Sequence, residues 1–136
     1  MESRIFVDTN VFLDLLLNRK NYGVFASEFF SECIDRKAQL ITSVSCLQTV
    51  IYVMNKTGCT QDVVRNSIMK INDLVTLANT SESDIIKAVS SDLSDLADAI
   101  LYFTAVSNNC DRFITRNTKD FPNSNDKMSV LKPEEF

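Results

Sequence analysis

The sequence predicts an α/β fold, an α/β/α sandwich in which helices cover both faces of a central parallel sheet of four or five strands. Short apolar runs alternate along the chain with longer segments whose apolar residues recur at helical spacing. Such alternation indicates strands joined by helical crossovers, and therefore a parallel sheet. The first strand also ends abruptly at Asp8, at the sheet edge where α/β folds gather their ligands and their chemistry.

The first half of the chain predicts two strands and three helices. An apolar β-type run at 4–7 is followed by a leucine-rich helix at 10–18, for which Asn10 is a candidate N-cap. An aromatic-rich amphipathic helix follows at 22–36. The strand at 40–42 is short, and the helix at 45–55 is buried and rich in β-branched residues.

The second half continues the alternation. Thr60 is a candidate N-cap for a helix at 60–72, because apolar residues follow it on one helical face. The remaining expected elements are a strand at 74–77, helices at 82–90 and 95–108, strands at 112–115 and 128–131, and a terminating turn at Pro133. Neither a repeat nor a boundary is visible, so we expect a single domain over 1–136.

Composition narrows the class of protein. A chain of 136 residues with 45% apolar content and only two Gly and two Pro matches one folded domain without long linkers. No apolar run approaches the roughly 20 residues that span a bilayer, and no signal peptide is visible, so we expect a soluble cytoplasmic protein. The cysteines form no CxxC pair, which favours reduced structural thiols.

The ionisable residues limit the chemistry. The chain has no histidine, which excludes histidine acid–base catalysis and histidine-ligated zinc. Its net charge of -4 opposes a broad electrostatic surface for nucleic acid. A phosphate contact bridged by a bound cation remains compatible with that charge.

Four aspartates fall where a parallel sheet would gather them. Asp8 follows the first strand, Asp95 and Asp98 open a helix on one face, and Asp120 lies just past the fourth strand. Converging carboxylates repel one another and raise each other's pKa, and a divalent cation removes that repulsion. Hard oxygen ligands of this kind favour Mg²⁺ or Mn²⁺.

Each aspartate also has a purely structural explanation. Asp8 is equally explained as a strand-to-helix turn residue. Asp95 is equally explained as an N-cap with Asp98 as its capping-box partner. For Asn117 and Asp120, taken alone, a role as turn formers is the favoured explanation. The joint pattern is what favours function.

That joint pattern resembles the PIN-domain nucleases over nearly the whole chain. The matching segments are Ile5–Val11, Thr42-Ser43, Asp95–Ala99, Thr115–Asn117 and Asp120-Phe121. The stretches 8–19 and 130–136 look like one bacterial subgroup in particular. The resemblance implies an acidic pocket that binds Mg²⁺ or Mn²⁺ and hydrolyses phosphodiester bonds, usually in RNA. Many small bacterial members are VapC-type toxins that dimerise, so an antitoxin protein and a second copy of the chain are the implied partners.

Carried over residue by residue, the resemblance makes Asp8 and Asp98 the principal metal ligands and catalytic residues, with Asp95 and Asp120 as further ligands. The implied accessory residues are Thr9, Asn10, Asp14, Gln48, Thr115 and Asn117. The structural alternative for Asp14 is that it belongs to the polar face of the first helix and has no role in the site. The candidate contacts to the RNA backbone are Arg116, Lys119, Arg19 and Lys20, although a solvated surface explains them too.

One departure from the family keeps other functions open. Many members carry a glutamate five residues after the serine that follows the second strand, where this chain has Gln48 followed by Thr49. An uncharged ligand weakens metal binding, so an RNA- or protein-binding module without cleavage is an alternative. A phosphohydrolase with Asp8 as nucleophile is opposed by Asn10, where the common form needs a second aspartate. The helix segment 22–30 is a candidate partner surface, although core packing explains it as well.

Overall fold

The computed structural model describes residues 3–136, and its sheet confirms the predicted architecture. The strands are β1 (Arg4–Val7), β2 (Gln39–Ser43), β3 (Thr76–Ala78), β4 (Arg112–Ile114) and β5 (Ser129–Leu131). They pair in the order β3-β2-β1-β4-β5, and every pairing is parallel. All five predicted strands are therefore present.

The α-helices also follow the predicted order. They are α1 (Thr9–Leu16), α2 (Gly23–Asp35), α3 (Val44–Lys56), α4 (Gln61–Leu74), α5 (Glu82–Ser90) and α6 (Leu96–Ser107). Short 3-10 helices lie at Thr118–Asp120 and Pro133–Glu135. Among residues 3–136, no helix is both long enough and apolar enough to cross a membrane.

Most element boundaries differ from the prediction by one or two residues, and two of these differences have a clear cause. The N-cap of α1 is Asp8 and not Asn10, because the Asp8 carboxylate accepts the Thr9 N–H and starts the helix at once. The strand expected at 74–77 begins only at Thr76, because Leu74 ends α4. The predicted cap at Thr60 is confirmed, since its hydroxyl accepts the Val63 N–H.

The sheet separates two apolar cores. Ile5 and Val7 of β1 point to the core built with α1 to α4, whereas Phe6 points to the opposite core against α6. There Phe6 stacks on Phe113 of β4, with their ring centroids 5.2 Å apart. A strand buried on both faces in this way is typical of the centre of a parallel sheet, and each large side chain that it buries contributes about 1.5–3 kcal/mol.

The strand order reverses direction at β1, and this places the functional site. From β1 the chain builds outward to β2 and β3 on one side, and to β4 and β5 on the other. Ligands of open α/β sheets bind beyond the carboxyl ends of the strands where such a reversal occurs. Val7 pairs with Ile114, so the first residues beyond that edge are Asp8 and Thr115.

Candidate functional site

Asp8 is the buried centre of this edge. Its side chain is only 6% exposed. Oδ1 accepts the Thr9 N–H at 2.7 Å, and Oδ2 accepts the Thr115 hydroxyl at 2.8 Å. Burial raises the pKa of Asp8, and the hydrogen bonds from Thr115 and Thr9 offset part of that rise because they favour the charged form.

Asn10 and Thr115 hold the Asp8 carboxylate from the other side. The Asn10 amide nitrogen lies 3.4 Å from both Asp8 Oδ2 and Thr115 Oγ1. Its carbonyl oxygen accepts the Arg116 N–H at 3.2 Å, which fixes the orientation of the amide. Thr115 Oγ1 also accepts the Asn117 N–H at 3.2 Å. The ends of β1 and β4 are therefore tied into one hydrogen-bond network.

A buried ion pair supports this network from behind. Asp14 is only 2% exposed, so it does not mark a polar helix face. It accepts two hydrogen bonds from the Arg116 guanidinium, at 3.0 Å from Nε and 3.2 Å from Nη2, and Arg19 lies 3.4 Å away. The guanidinium of Arg116 also lies over the Tyr22 ring, 4.2 Å from its centroid. These contacts hold Arg116 in place, so its backbone N–H stays against Asn10.

The start of α6 contributes the second group of carboxylates. Asp95 is the N-cap and accepts the Asp98 N–H at 3.0 Å, as the structural explanation from the sequence anticipated. Within the described chain the Asp98 side chain does not return the bond, so only half of a capping box forms. Burial, together with repulsion from Asp95, Asp8 and Asp120, raises the pKa of Asp98 to about 6.

The four predicted carboxylates thus share one electrostatic field without forming a closed ligand shell. Among residues 3–136, no three acidic or cysteine side chains lie close enough together to hold an ion between them. Asp95 is turned to cap α6, and Asp120 is exposed at the end of a 3-10 helix. The donor set still matches Mg²⁺, which keeps several waters and needs only one or two carboxylates.

Thr49, the neighbour of Gln48, lines a cleft that borders the start of α1. This cleft of about 160 Å³ lies between the start of α1, the first turns of α3 and α6. Thr49 lines it together with Thr9, Ser45 and Ala97, and Gln48 is not among its lining residues. The sequence pattern did not single out Ser45, and Thr49 was named only as the neighbour of Gln48. Helical periodicity contained the signal, because residues four apart share a face.

The candidate cations divide into two kinds. Arg116 and Arg19 both contact Asp14. Lys119 lines an open cleft beside the 3-10 helix together with Lys132, which the sequence reasoning did not single out. Lys20 is exposed.

Comparison with known proteins agrees with this geometry. A family model described as "PIN domain" matches residues 4–119. Ribonuclease VapC1 of Aquifex aeolicus (strain VF5) is 25% identical over 138 residues, covering 98% of this chain and 92% of that protein.

Solved structures share the fold at lower identity. VapC20 of Mycobacterium tuberculosis, described as a sarcin–ricin loop cleaving toxin, matches with a TM-score of 0.65 and 16% identity, over 80% of this chain and 86% of that one. VapBC-1 of nontypeable Haemophilus influenzae matches with a TM-score of 0.68 and 16% identity, over 96% and 98%. VapBC2 of Rickettsia felis, bound to a promoter DNA fragment, matches with a TM-score of 0.63 and 10% identity, over 95% and 98%.

Proposed function

The chain belongs to the PIN-domain family, and on that premise we propose that it is a divalent-metal-dependent ribonuclease that hydrolyses RNA phosphodiester bonds. The observation that carries the proposal is geometric: Asp8 is buried at the switch point of the sheet, and its carboxylate is held by Thr9 and Thr115. Burial and repulsion from Asp95, Asp8 and Asp120 raise the pKa of Asp98 to about 6. Like charges held together at such an edge are a reason to expect a bound cation.

The chain's own residues divide the work. Asp8 and Asp98 are the proposed principal ligands, with Asp95 and Asp120 on the rim. When bound, Mg²⁺ or Mn²⁺ lowers the pKa of water and neutralises charge on the phosphate. Thr9 and Thr115 hold the two oxygens of Asp8 in fixed directions. Asn10 keeps its amide on Asp8 Oδ2, and the Arg116–Asp14 pair keeps Asn10 in place.

We further propose that the chain is the toxin of a toxin–antitoxin pair and forms a homodimer. The support is its likeness to Ribonuclease VapC1 over 98% of its length, together with folds shared with two VapBC structures. A small DNA-binding protein encoded by the adjacent open reading frame would support the first part. Light scattering on the purified chain tests the second, and a monomer at all concentrations would reject it.

The experiment that tests the nuclease is a calorimetric titration with Mn²⁺, followed by an RNA cleavage screen. Asp8→Asn should lose saturable binding and cleavage, because it removes the charge but keeps the size of the side chain. Asp73→Asn is the matched control, since Asp73 is an exposed aspartate on α4. If wild type and Asp8→Asn cleave RNA equally well, the proposed site is wrong.

A second candidate function is a PIN-like RNA- or protein-binding module without turnover. The observation that favours it is Gln48, an uncharged side chain at the position where many family members carry a glutamate. A folded wild-type protein that binds RNA but neither binds Mn²⁺ nor cleaves would select this alternative.

A further inference from the structure

An open cleft lies along the chain segment that follows β4. It has a volume of about 330 Å³, and its lining includes Tyr22, Asn117, Lys119 and Lys132. Such a volume is at the lower end of the range for small-molecule sites. The cleft is joined to the centre through Asn117, whose N–H donates to the Thr115 hydroxyl that binds Asp8.

The cleft is locally basic in an acidic chain. Lys119, Lys132 and Arg116 line it, and the acidic residue in its lining is Glu134. Arg116 is paired with Asp14, whereas neither Lys119 nor Lys132 forms an ion pair within residues 3–136. The aspartates of the carboxylate centre repel phosphate. An RNA strand that reaches the centre therefore needs cations on its flank, and these two ammonium groups supply them.

Tyr22 adds a stacking surface to the same cleft. The Arg116 guanidinium lies over its ring, yet Tyr22 remains 42% exposed. Because Arg116 is itself held by Asp14, the ring is pre-positioned before any ligand arrives. Grooves that bind single-stranded nucleic acid combine such rings with charges that follow the backbone.

We propose that this cleft is a subsite for one nucleotide of single-stranded RNA next to the scissile phosphate. Lys119 and Lys132 hold its backbone phosphate, and the free surface of Tyr22 stacks on its base. The inference rests on the proposed ribonuclease function and names its substrate as unpaired RNA. A duplex is disfavoured because its bases are already stacked on one another and are not free to stack on Tyr22.

The test is the fluorescence anisotropy of a labelled single-stranded RNA octamer in EDTA, so that binding is measured without cleavage. Lys132→Gln should raise Kd by roughly three- to tenfold and reduce the slope of log K against log salt by about 0.7. Tyr22→Leu should raise Kd by about fivefold or more, and Tyr22→Phe by less than about twofold. Melting curves verify that each variant is folded.

A second lysine–tyrosine pair provides the matched control. Lys56 Nζ lies 5.7 Å from the centroid of the Tyr52 ring on α3, and Tyr52 is 61% exposed. Lys56→Gln and Tyr52→Leu should leave Kd unchanged. Equal losses in these controls, or wild-type affinity in folded Lys132→Gln and Tyr22→Leu, would overturn the subsite.

Other outcomes separate the remaining explanations. If inorganic phosphate displaces the RNA only when Lys132 is present, and Tyr22→Leu leaves the Kd for RNA unchanged, the cleft binds only an anion. The nucleotide subsite is then overturned. If the cleft variants lose affinity for a protein partner and not for RNA, it is equally overturned. Cleavage of RNA by the wild-type protein with Mn²⁺ is measured separately. If the protein cleaves RNA but the cleft variants bind RNA as tightly as wild type, only the subsite is rejected. If RNA binding depends on the cleft residues but no cleavage occurs, only the nuclease is rejected.

Discussion

The two halves of the carboxylate centre are built in opposite ways. The half at the ends of β1 and β4 is buried and fully hydrogen-bonded, with both oxygens of Asp8 held by Thr9 and Thr115. The half at the start of α6 is more exposed, and partial burial together with repulsion from Asp95, Asp8 and Asp120 disfavours the charged form of Asp98. We call these the fixed half and the open half.

The difference indicates a division of labour. The fixed half sets where a ligand sits, because a buried, bonded carboxylate cannot turn away. The open half stores unfavourable charge at neutral pH, and a cation that bridges to the fixed half would relieve it. Stability and function should therefore respond in opposite directions to mutations of the open half.

The largest expected effect comes from removing the charge of the open half. Asp98→Asn should reduce Mn²⁺-dependent RNA cleavage by at least about 100-fold, the scale of losing one electrostatic contact to a transition state. Initial rates on a labelled RNA measure it, with Asp73→Asn as control. Retained cleavage in a folded Asp98→Asn protein would mean that the open half plays no part in the chemistry.

The next largest effect concerns the buried ion pair that supports the fixed half. Asp14→Asn breaks a buried pair with Arg116 and should lower the free energy of unfolding by about 1–3 kcal/mol. Glu32→Gln, which breaks the exposed pair with Arg36, should cost at most about 0.5 kcal/mol. Urea denaturation compares the two. Equal costs would show that burial of Asp14 contributes nothing.

A smaller effect follows from the pKa of Asp98, about 6 in the folded protein and near 3.8 when unperturbed. The folded state holds this proton more tightly, so the group favours folding below about pH 4 and that contribution is lost as pH rises through 6. In EDTA, Asp98→Asn should match wild type at pH 4 and exceed its stability by about 1 kcal/mol at pH 7, after allowance for solvent screening. A difference that shrinks with rising pH would contradict this sign.

The smallest effect would sharpen the comparison by adding charge to the open half. Thr49→Glu places a carboxylate in the cleft beside Thr9 and Ala97 and should tighten Mn²⁺ binding by about threefold, or roughly 0.6 kcal/mol. Gln48→Glu, one residue away and outside the lining of that cleft, should leave the Kd unchanged. Calorimetry with both variants decides which position faces the cation, and the reverse ranking would place it at Gln48.

The sequence singles out the candidate residues whose positions depend on one element. The end of a strand singles out Asp8, and helical spacing singles out Asp95 and Asp98. The features that the sequence did not predict depend on the direction in which a helical side chain points, or on a contact with a residue far away in the chain. One residue on an α-helix turns a side chain by about 100°, which separates Gln48 from Thr49. Asp14 is buried together with its ion-pair partner Arg116, which lies 102 residues away in the chain. No local sequence pattern reveals such a distant partner.

The hydrogen bond between Thr115 and Asp8 also determines at which stage of folding the carboxylate centre forms. Its two residues lie 107 positions apart, and β1 must pair with β4 before they meet. Parallel pairings of such long range form slowly, because the intervening chain must first be closed into a loop. A chain still emerging from the ribosome therefore carries Asp8 for most of its synthesis without a formed centre. We therefore expect the proposed RNA cleavage to begin only after β4 has been translated and docked.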